Sequence, residues 1–289
     1  MSRPLSEASR ASLWRALTPA LSLGIVLFFP VVARAEPHEL RSDVHVDAAL
    51  ALGLVGAAAT LTATEGGFAP SRCRWCDEDA EGRDTRNAAD RAVRAALVRR
   101  DTTIAARVSD IYGLALVPAS MIGMTMLAAA DERAIGKTPV DLLIVSEAVG
   151  LAVTTTQITK FLAARQRPYV HALPPAERDG PGAAGDRYFS FFSGHSAFTF
   201  ALATSAGTVA SLRGYRAAPF VWGVGLTLAA STAYLRIAAD KHYFTDVLVG
   251  ILVGSASGLA VPLLHGRVRG STADGAPRVN DVMTLGASF

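Results

Sequence analysis

Long apolar segments constrain this chain more than any other feature of its sequence. One such segment lies near the N-terminus, and the next covers residues 44–64. Five more, all near membrane-spanning length, lie at about 111–130, 140–160, 196–212, 218–238 and 246–265. They contain runs of Ala, Gly, Leu and Val without the alternation of a half-buried strand, which indicates helices. The sequence therefore predicts an all-α fold, a transmembrane bundle of about five or six helices.

The composition agrees with closely packed helices and excludes one class of partner. The hydrophobic fraction is 51%, and the mean hydropathy of +0.31 is high for a soluble enzyme but low for a typical transporter. Aromatic residues make up only 7%, and small residues are abundant, as in bundles whose helices approach closely. The net charge of +3 gives no reason to expect nucleic acid. The arginine-rich character suits anionic lipid surfaces or phosphate ligands.

The N-terminal segment has the features of an export signal. Arg3, Arg10 and Arg15 precede an apolar stretch, and the sequence Ala-Arg-Ala at 33–35 offers a cleavage site before Glu36. An uncleaved anchor is the alternative, because the apolar stretch approaches spanning length. We expect a signal peptide or N-terminal anchor here.

Two smaller features carry structural expectations. Cys73 and Cys76, the only cysteines, lie in the charged region 65–109 and predict a local disulfide, with two free thiols as the alternative. The last apolar segment carries Gly250, Gly254 and Gly258, a spacing that lets a neighbouring helix approach closely.

A pair of cations stands at the end of the segment at 140–160. Lys160 and Arg167 are seven residues apart, two helical turns, so both can face one side, and Pro168 ends the helix. Two cations at a helix end can clamp a phosphate or another oxyanion. A positive cluster that merely flanks a membrane helix is the alternative.

A second motif precedes the helix predicted at 196–212. Ser193, Gly194 and His195 stand at its start, where free backbone N–H groups bind anions. Gly194 permits close approach of a ligand to the backbone, and His195 can act as an acid or a base near neutral pH. A capping serine beside an incidental histidine is the alternative.

A third motif begins the last apolar segment. His242 and Asp246 are four residues apart and share one helix face, with Arg236 six residues before the histidine. A carboxylate beside an imidazole indicates a histidine oriented for chemistry. Alone, the fragment favours a capped helix start, because charged residues usually mark helix ends.

In chain order the motifs read Lys-x6-Arg-Pro, Ser-Gly-His and Arg-x5-His-x3-Asp. This set resembles the three-part signature of the phosphatidic acid phosphatase type 2 and vanadium haloperoxidase superfamily. The spacings within the first and third parts match in full. Phe192 and Leu235 stand where the signature usually has Pro and Ser. The resemblance covers about 160–250 by motif and 110–265 by helix pattern.

The resemblance implies a phosphatase that needs neither metal nor cofactor and acts on a phosphomonoester or diphosphate, of a membrane lipid by expectation. In that family's mechanism His242 would attack phosphorus, Asp246 would orient its imidazole, and His195 would serve as general acid and then activate water. The phosphoryl oxygens would be held by Lys160, Arg167, Ser193, Gly194 and Arg236. The chain would then divide into a signal or anchor (1–35), an N-terminal helix and charged loop (36–109), a phosphatase-like core (110–266) and a polar tail (267–289).

The order of the helices places all three motifs at one membrane face. Arg213 and Arg216 fall on the other face, which the positive-inside rule makes cytoplasmic. We therefore expect a bacterial inner-membrane protein with its site facing the periplasm. That orientation favours a segment 44–64 that does not span the membrane.

Three other functions remain open at this stage. They are a soluble secreted acid phosphatase of the same superfamily, a vanadate-dependent haloperoxidase in which His242 would ligate vanadium, and a non-catalytic lipid-binding membrane protein.

Glu147, inside an apolar helix, is a functional candidate unless that helix is partly hydrated or pairs the residue with an arginine. The histidines at 38, 45, 171 and 265 have no evident partners.

Overall fold

The structure, a computed structural model, describes residues 38–178 and 186–268, so the predicted signal or anchor and almost all of the polar tail lie outside the described residues. The described residues form eight helices of ten or more residues. They are α1 (Val44–Ala63), α2 (Ala88–Leu97), α3 (Thr102–Ile111), α4 (Val117–Asp131), α5 (Thr138–Ala163), α6 (Gly194–Leu212), α7 (Ala218–Ala238) and α8 (Phe244–His265).

Shorter elements join and close the bundle. A π-helical turn, Tyr112–Leu116, makes α3 and α4 one continuous helix. Strand β1 (His38–Leu40) pairs antiparallel with β2 (Gly266–Val268), so both ends of the described chain meet. The remaining turns are Glu65–Phe68, Ile135–Lys137, Pro168–His171, Pro175–Arg178 and Asp186–Tyr188. Cys73 and Cys76 form the predicted disulfide.

Five helical stretches are long and apolar enough to cross a membrane. They are Val44–Ala63, Thr102–Asp131, Ile135–Ala163, Ala218–Ala238 and Phe244–His265. This confirms the predicted all-α transmembrane bundle, although the second stretch begins nine residues before the predicted segment at 111.

Helix α6 lies at the centre of the bundle and is buried along almost its whole length. It is less apolar than its neighbours because it carries several hydroxyl side chains. Those of Thr204 and Thr208 donate hydrogen bonds to carbonyls one turn earlier, at 2.6 Å each, which allows them to be buried.

Helix α1 runs alongside α5 in the same direction. Thr154 Oγ1 donates to the Leu54 carbonyl at 2.9 Å, and one turn further on Gln157 Nε2 donates to Thr62 Oγ1 at 2.6 Å. Gly150 makes the close approach possible, because a Cβ there would lie 2.7 Å from Leu54 Cβ. The expectation that 44–64 does not span the membrane disagrees with this structure, because α1 packs alongside α5 and is itself long and apolar enough to cross a membrane.

The glycines of α8 lie against α6, as their spacing predicts. A Cβ at Gly250 would lie 2.6 Å from the Ser193 carbonyl oxygen, and one at Gly254 would overlap the Ala197 carbonyl. This contact fixes the start of α8 against the start of α6, where two of the sequence motifs lie.

We predict that Gly254→Ala destabilises the protein by about 1–3 kcal/mol, because the added methyl group meets backbone that cannot move aside cheaply. Gly223→Ala is the control, since a Cβ at Gly223 meets nothing within 4 Å. Thermal unfolding in detergent measures both. Equal unfolding temperatures for the two variants would contradict the account of this contact.

Candidate active site

Four helix ends bring the three motifs together at one end of the bundle. Lys160 lies in the last turn of α5 and Arg236 in the last turn of α7, while His195 begins α6 and Asp246 begins α8. The connection between α7 and α8 carries His242. Cations and histidines from distant segments of the chain therefore lie together at this end of the bundle.

His242 presents one ring nitrogen to the cations of the site. Its Nδ1 lies 2.7 Å from the Ser190 carbonyl, which can only accept, so Nδ1 carries the proton. Nε2 therefore has the lone pair, and it lies 3.3 Å from Arg167 Nη1. Burial lowers the pKa of the imidazole well below its usual range, and Arg167, Arg236 and Lys160 lower it further. The ring is neutral and its nucleophilic nitrogen faces positive charge.

The predicted direct contact between Asp246 and His242 is not present. Asp246 Oδ2 lies 3.8 Å from Nδ1, beyond hydrogen-bond distance, because the Ser190 carbonyl already occupies that nitrogen. Instead Asp246 accepts from Ser190 Oγ at 2.5 Å, from Tyr243 N at 2.9 Å and from Arg165 Nη1 at 2.6 Å. Asp246 thus orients the histidine indirectly, by holding Ser190 and the start of α8.

Arg167 is fixed by three contacts to two neighbours. Its Nε donates to the Asp186 carbonyl at 2.6 Å, and its Nη1 donates to the Lys241 carbonyl at 2.9 Å. Nη2 lies 3.2 Å from the Asp186 carboxylate. The guanidinium is buried and held beside His242 in a single orientation.

Arg236 and His195 share Asp110, a residue that the sequence analysis missed. Arg236 Nη1 donates to Asp110 Oδ1 and to Ser109 Oγ, both at 3.0 Å. The same carboxylate oxygen lies 3.0 Å from His195 Nε2, at ion-pair distance but off the line of a hydrogen bond. Arg236 Nε is buried without a partner among the described residues, so it can donate to a ligand.

A π-helical turn brings α3 and α4 close to His195. A Cβ at Gly113, within that turn, would lie 2.7 Å from His195 Cδ2. The absence of a side chain therefore leaves room for the imidazole. Local π-helical turns are frequent at functional sites.

The start of α6 differs in part from the prediction. The Ser193 N–H donates to the Asp246 carbonyl at 3.0 Å, so it is not free to bind an anion. Ser193 Oγ accepts a hydrogen bond from Ser196 Oγ at 2.9 Å and caps the helix. Gly194 remains beside the cations, because its Cβ position lies 3.6 Å from Lys160 Nζ.

Each of the three predicted phosphate-binding cations has a carboxylate neighbour. Lys160 Nζ lies 3.5 Å from Glu65 Oε1, and Asp186 and Asp110 accompany Arg167 and Arg236. These carboxylates balance the charge of the three cations, and a phosphate bound there would compete with them.

Two histidines without predicted partners have acidic neighbours. His171 Nδ1 lies 3.8 Å from Glu78 Oε1. His265 Nε2 lies 3.7 Å from carboxylate oxygens of both Asp47 and Glu147. The second group is at the opposite end of the bundle from His242.

Comparison with known protein families agrees with this geometry. Residues 141–269 match the model of the PAP2 superfamily, the superfamily whose signature the three motifs resemble. Searches of curated proteins and of solved structures found no match. The match indicates phosphatase-type chemistry, at the coarse level of a phosphoric ester hydrolase. Glu65 and Asp110 lie outside the matched region, so the site extends beyond it.

We predict that Glu65→Gln tightens binding of vanadate, a phosphate analogue, by roughly three- to tenfold, because it removes the anion that competes for Lys160. Isothermal titration calorimetry of the purified protein measures the change. Glu81→Gln is the control, since Glu81 is an exposed acid of the neighbouring loop that pairs with Arg83. Unchanged or weaker binding by Glu65→Gln would show that the two anions do not compete.

The lowered pKa of His242 also predicts a pH dependence. A base whose pKa is lowered stays unprotonated to a lower pH, so protonation of the nucleophile should reduce kcat/KM only well below pH 6.5. A pH profile of kcat/KM for a phosphate ester measures this limb. An acidic limb at pH 6.5 or above would contradict the electrostatic assignment.

Proposed function

We propose that this protein is a metal-independent phosphatase that hydrolyses a phosphomonoester or diphosphate of a membrane lipid through a phosphohistidine on His242. The observation that carries the proposal is the orientation of His242. Its unprotonated Nε2 lies 3.3 Å from the Arg167 guanidinium, at the point where Lys160 and Arg236 also supply positive charge.

The proposed reaction has two displacements at phosphorus. His242 Nε2 attacks, the bond from phosphorus to the leaving oxygen breaks, and His195 donates a proton to that oxygen. His195 then removes a proton from water, the resulting hydroxide attacks phosphorus, and the P–N bond breaks to release phosphate and restore His242. Lys160, Arg167 and Arg236 stabilise the negative charge on the phosphoryl oxygens in both transition states.

The position of the site supports a lipid substrate. The side chain of Leu162, two residues after Lys160 on the last turn of α5, is 67% exposed. An apolar surface beside the cations suits a ligand whose phosphate is attached to acyl or prenyl chains. Phosphatidate, phosphatidylglycerophosphate, undecaprenyl diphosphate and a lipid A phosphate all fit this description.

We further propose a bacterial inner-membrane location with the site facing the periplasm. The Cys73–Cys76 disulfide at the site face favours an oxidising compartment. Arg133, Lys137 and Arg213 at the other face favour the cytoplasm. Because α1 crosses with α5, this orientation requires residues 38–43 on the cytoplasmic side and is incompatible with cleavage after Ala35.

We predict that the purified protein releases phosphate from a lipid phosphate in the presence of EDTA and that His242→Ala abolishes the release. Phosphatidate, undecaprenyl diphosphate and a soluble aryl phosphate should be offered side by side. Arg236→Ala should lower turnover about a hundredfold or more, because a transition-state contact is lost.

His45→Ala is the matched control, since His45 is exposed at the opposite end of the bundle. Preference for the aryl phosphate would favour the soluble acid phosphatase function instead. No release by folded protein, together with halide oxidation on addition of vanadate, would replace the proposal with a haloperoxidase function.

A further inference from the structure

We propose a second site, for a divalent transition-metal ion such as Zn²⁺, at the end of the bundle opposite His242. Asp47 of α1, Glu147 of α5 and His265 of α8 each offer one ligand atom, and these atoms all lie within 4.8 Å of one another. Along α8, the 19 residues from Asp246 to His265 correspond to about 28 Å, so the two sites are separate.

The hydrogen bond of His265 leaves one ring nitrogen for a ligand. Its Nδ1 lies 2.9 Å from the Val261 carbonyl, which can only accept, so Nδ1 carries a proton and Nε2 is the nitrogen available to a metal. Nε2 faces Asp47 Oδ1 and Glu147 Oε2, each at 3.7 Å. An imidazole nitrogen and two carboxylates that face one another form a donor set that a metal cation can occupy. A backbone carbonyl that fixes the other nitrogen is the usual support of a metal-binding histidine.

The two carboxylates are buried and have no Lys or Arg neighbour among the described residues. Asp47 is 7% exposed and Glu147 is 5% exposed. Asp47 Oδ2 and Glu147 Oε1 have no hydrogen-bond partner among the described residues, and no Lys or Arg there lies at ion-pair distance from either carboxylate. Buried charge of this kind is costly unless it is paired or coordinates a metal.

The backbone around the three side chains is fixed without the ion. The Arg41 N–H donates to the His265 carbonyl at 2.9 Å, and β1 pairs with β2 just beyond it. These contacts hold the end of α8 against the start of α1, while the hydrogen bond from Thr154 to Leu54 holds α1 against α5. The ligands therefore come from three mutually braced helices.

The donor set selects the class of ion. One imidazole nitrogen and two carboxylate oxygens suit Zn²⁺, which binds such ligands at about 2.0–2.2 Å and completes its shell with water. Mg²⁺ and Ca²⁺ prefer oxygen donors alone. An ion here would join α1, α5 and α8, so its role is to stabilise the bundle and hold α1 in place.

The test is a measurement of bound metal on the full-length protein, purified in detergent with its affinity tag removed. The protein is stripped with EDTA, dialysed free of chelator, loaded with Zn²⁺ and desalted, and metal is counted by mass spectrometry. We expect about one zinc per chain and a higher unfolding temperature in the loaded protein. Glu147→Gln and His265→Gln should retain only background zinc.

Glu39→Gln, an exposed acid near the same end of the bundle, is the matched control and should bind as the wild type does. The proposal is overturned if the wild type retains no zinc or if the two ligand variants retain as much as the control. Should those variants fail to fold, Co²⁺ loading of the wild type decides. Visible absorption of a nitrogen- and oxygen-ligated Co²⁺ that Zn²⁺ removes supports the site, and its absence rejects it. Neither readout depends on phosphatase activity.

Discussion

The candidate site depends on one buried guanidinium, that of Arg165. It forms ion pairs with Asp77 at 2.9 Å, Asp90 at 3.0 Å and Asp246 at 2.6 Å, and its side chain is fully buried. A tryptophan ring and a tyrosine ring cover it, each with its centroid 4.1 Å from the guanidinium carbon. Because a buried charge pair that loses one partner leaves an uncompensated charge, removal of Arg165 would disturb all three carboxylates at once.

This arrangement explains the indirect support of His242. Asp246 is committed to Arg165, to Ser190 and to the start of α8, so His242 Nδ1 donates its hydrogen bond to the Ser190 backbone carbonyl instead. The same guanidinium connects the loop before α2, and α2 itself, with the helix that follows His242. Residues outside the superfamily match thereby become part of the support of the candidate site.

The sequence was most informative where periodicity and local spacing carry the signal. The segment predicted at 218–238 is α7 to the residue, and the stripe beginning at Gly250 packs against α6 as expected. Contacts between distant segments gave no such signal. Arg165 stands two residues from Arg167, yet its partners are far away along the chain. Asp77 and Asp90 lie 88 and 75 residues before it, and Asp246 lies 81 residues after it. In the sequence, Asp110 is a polar residue that precedes an apolar segment. Its position beside His195 results from the packing of distant helices.

The central claim is that His242 carries the phosphoryl group during turnover. Single-turnover reaction of wild-type protein with ³²P-labelled lipid phosphate, quenched in alkali, tests it most directly, because phosphohistidine survives base and is lost in acid. The account predicts an acid-labile label in the peptide that contains His242 and none in His242→Ala. An acid-stable label, or a label on another peptide, would contradict it.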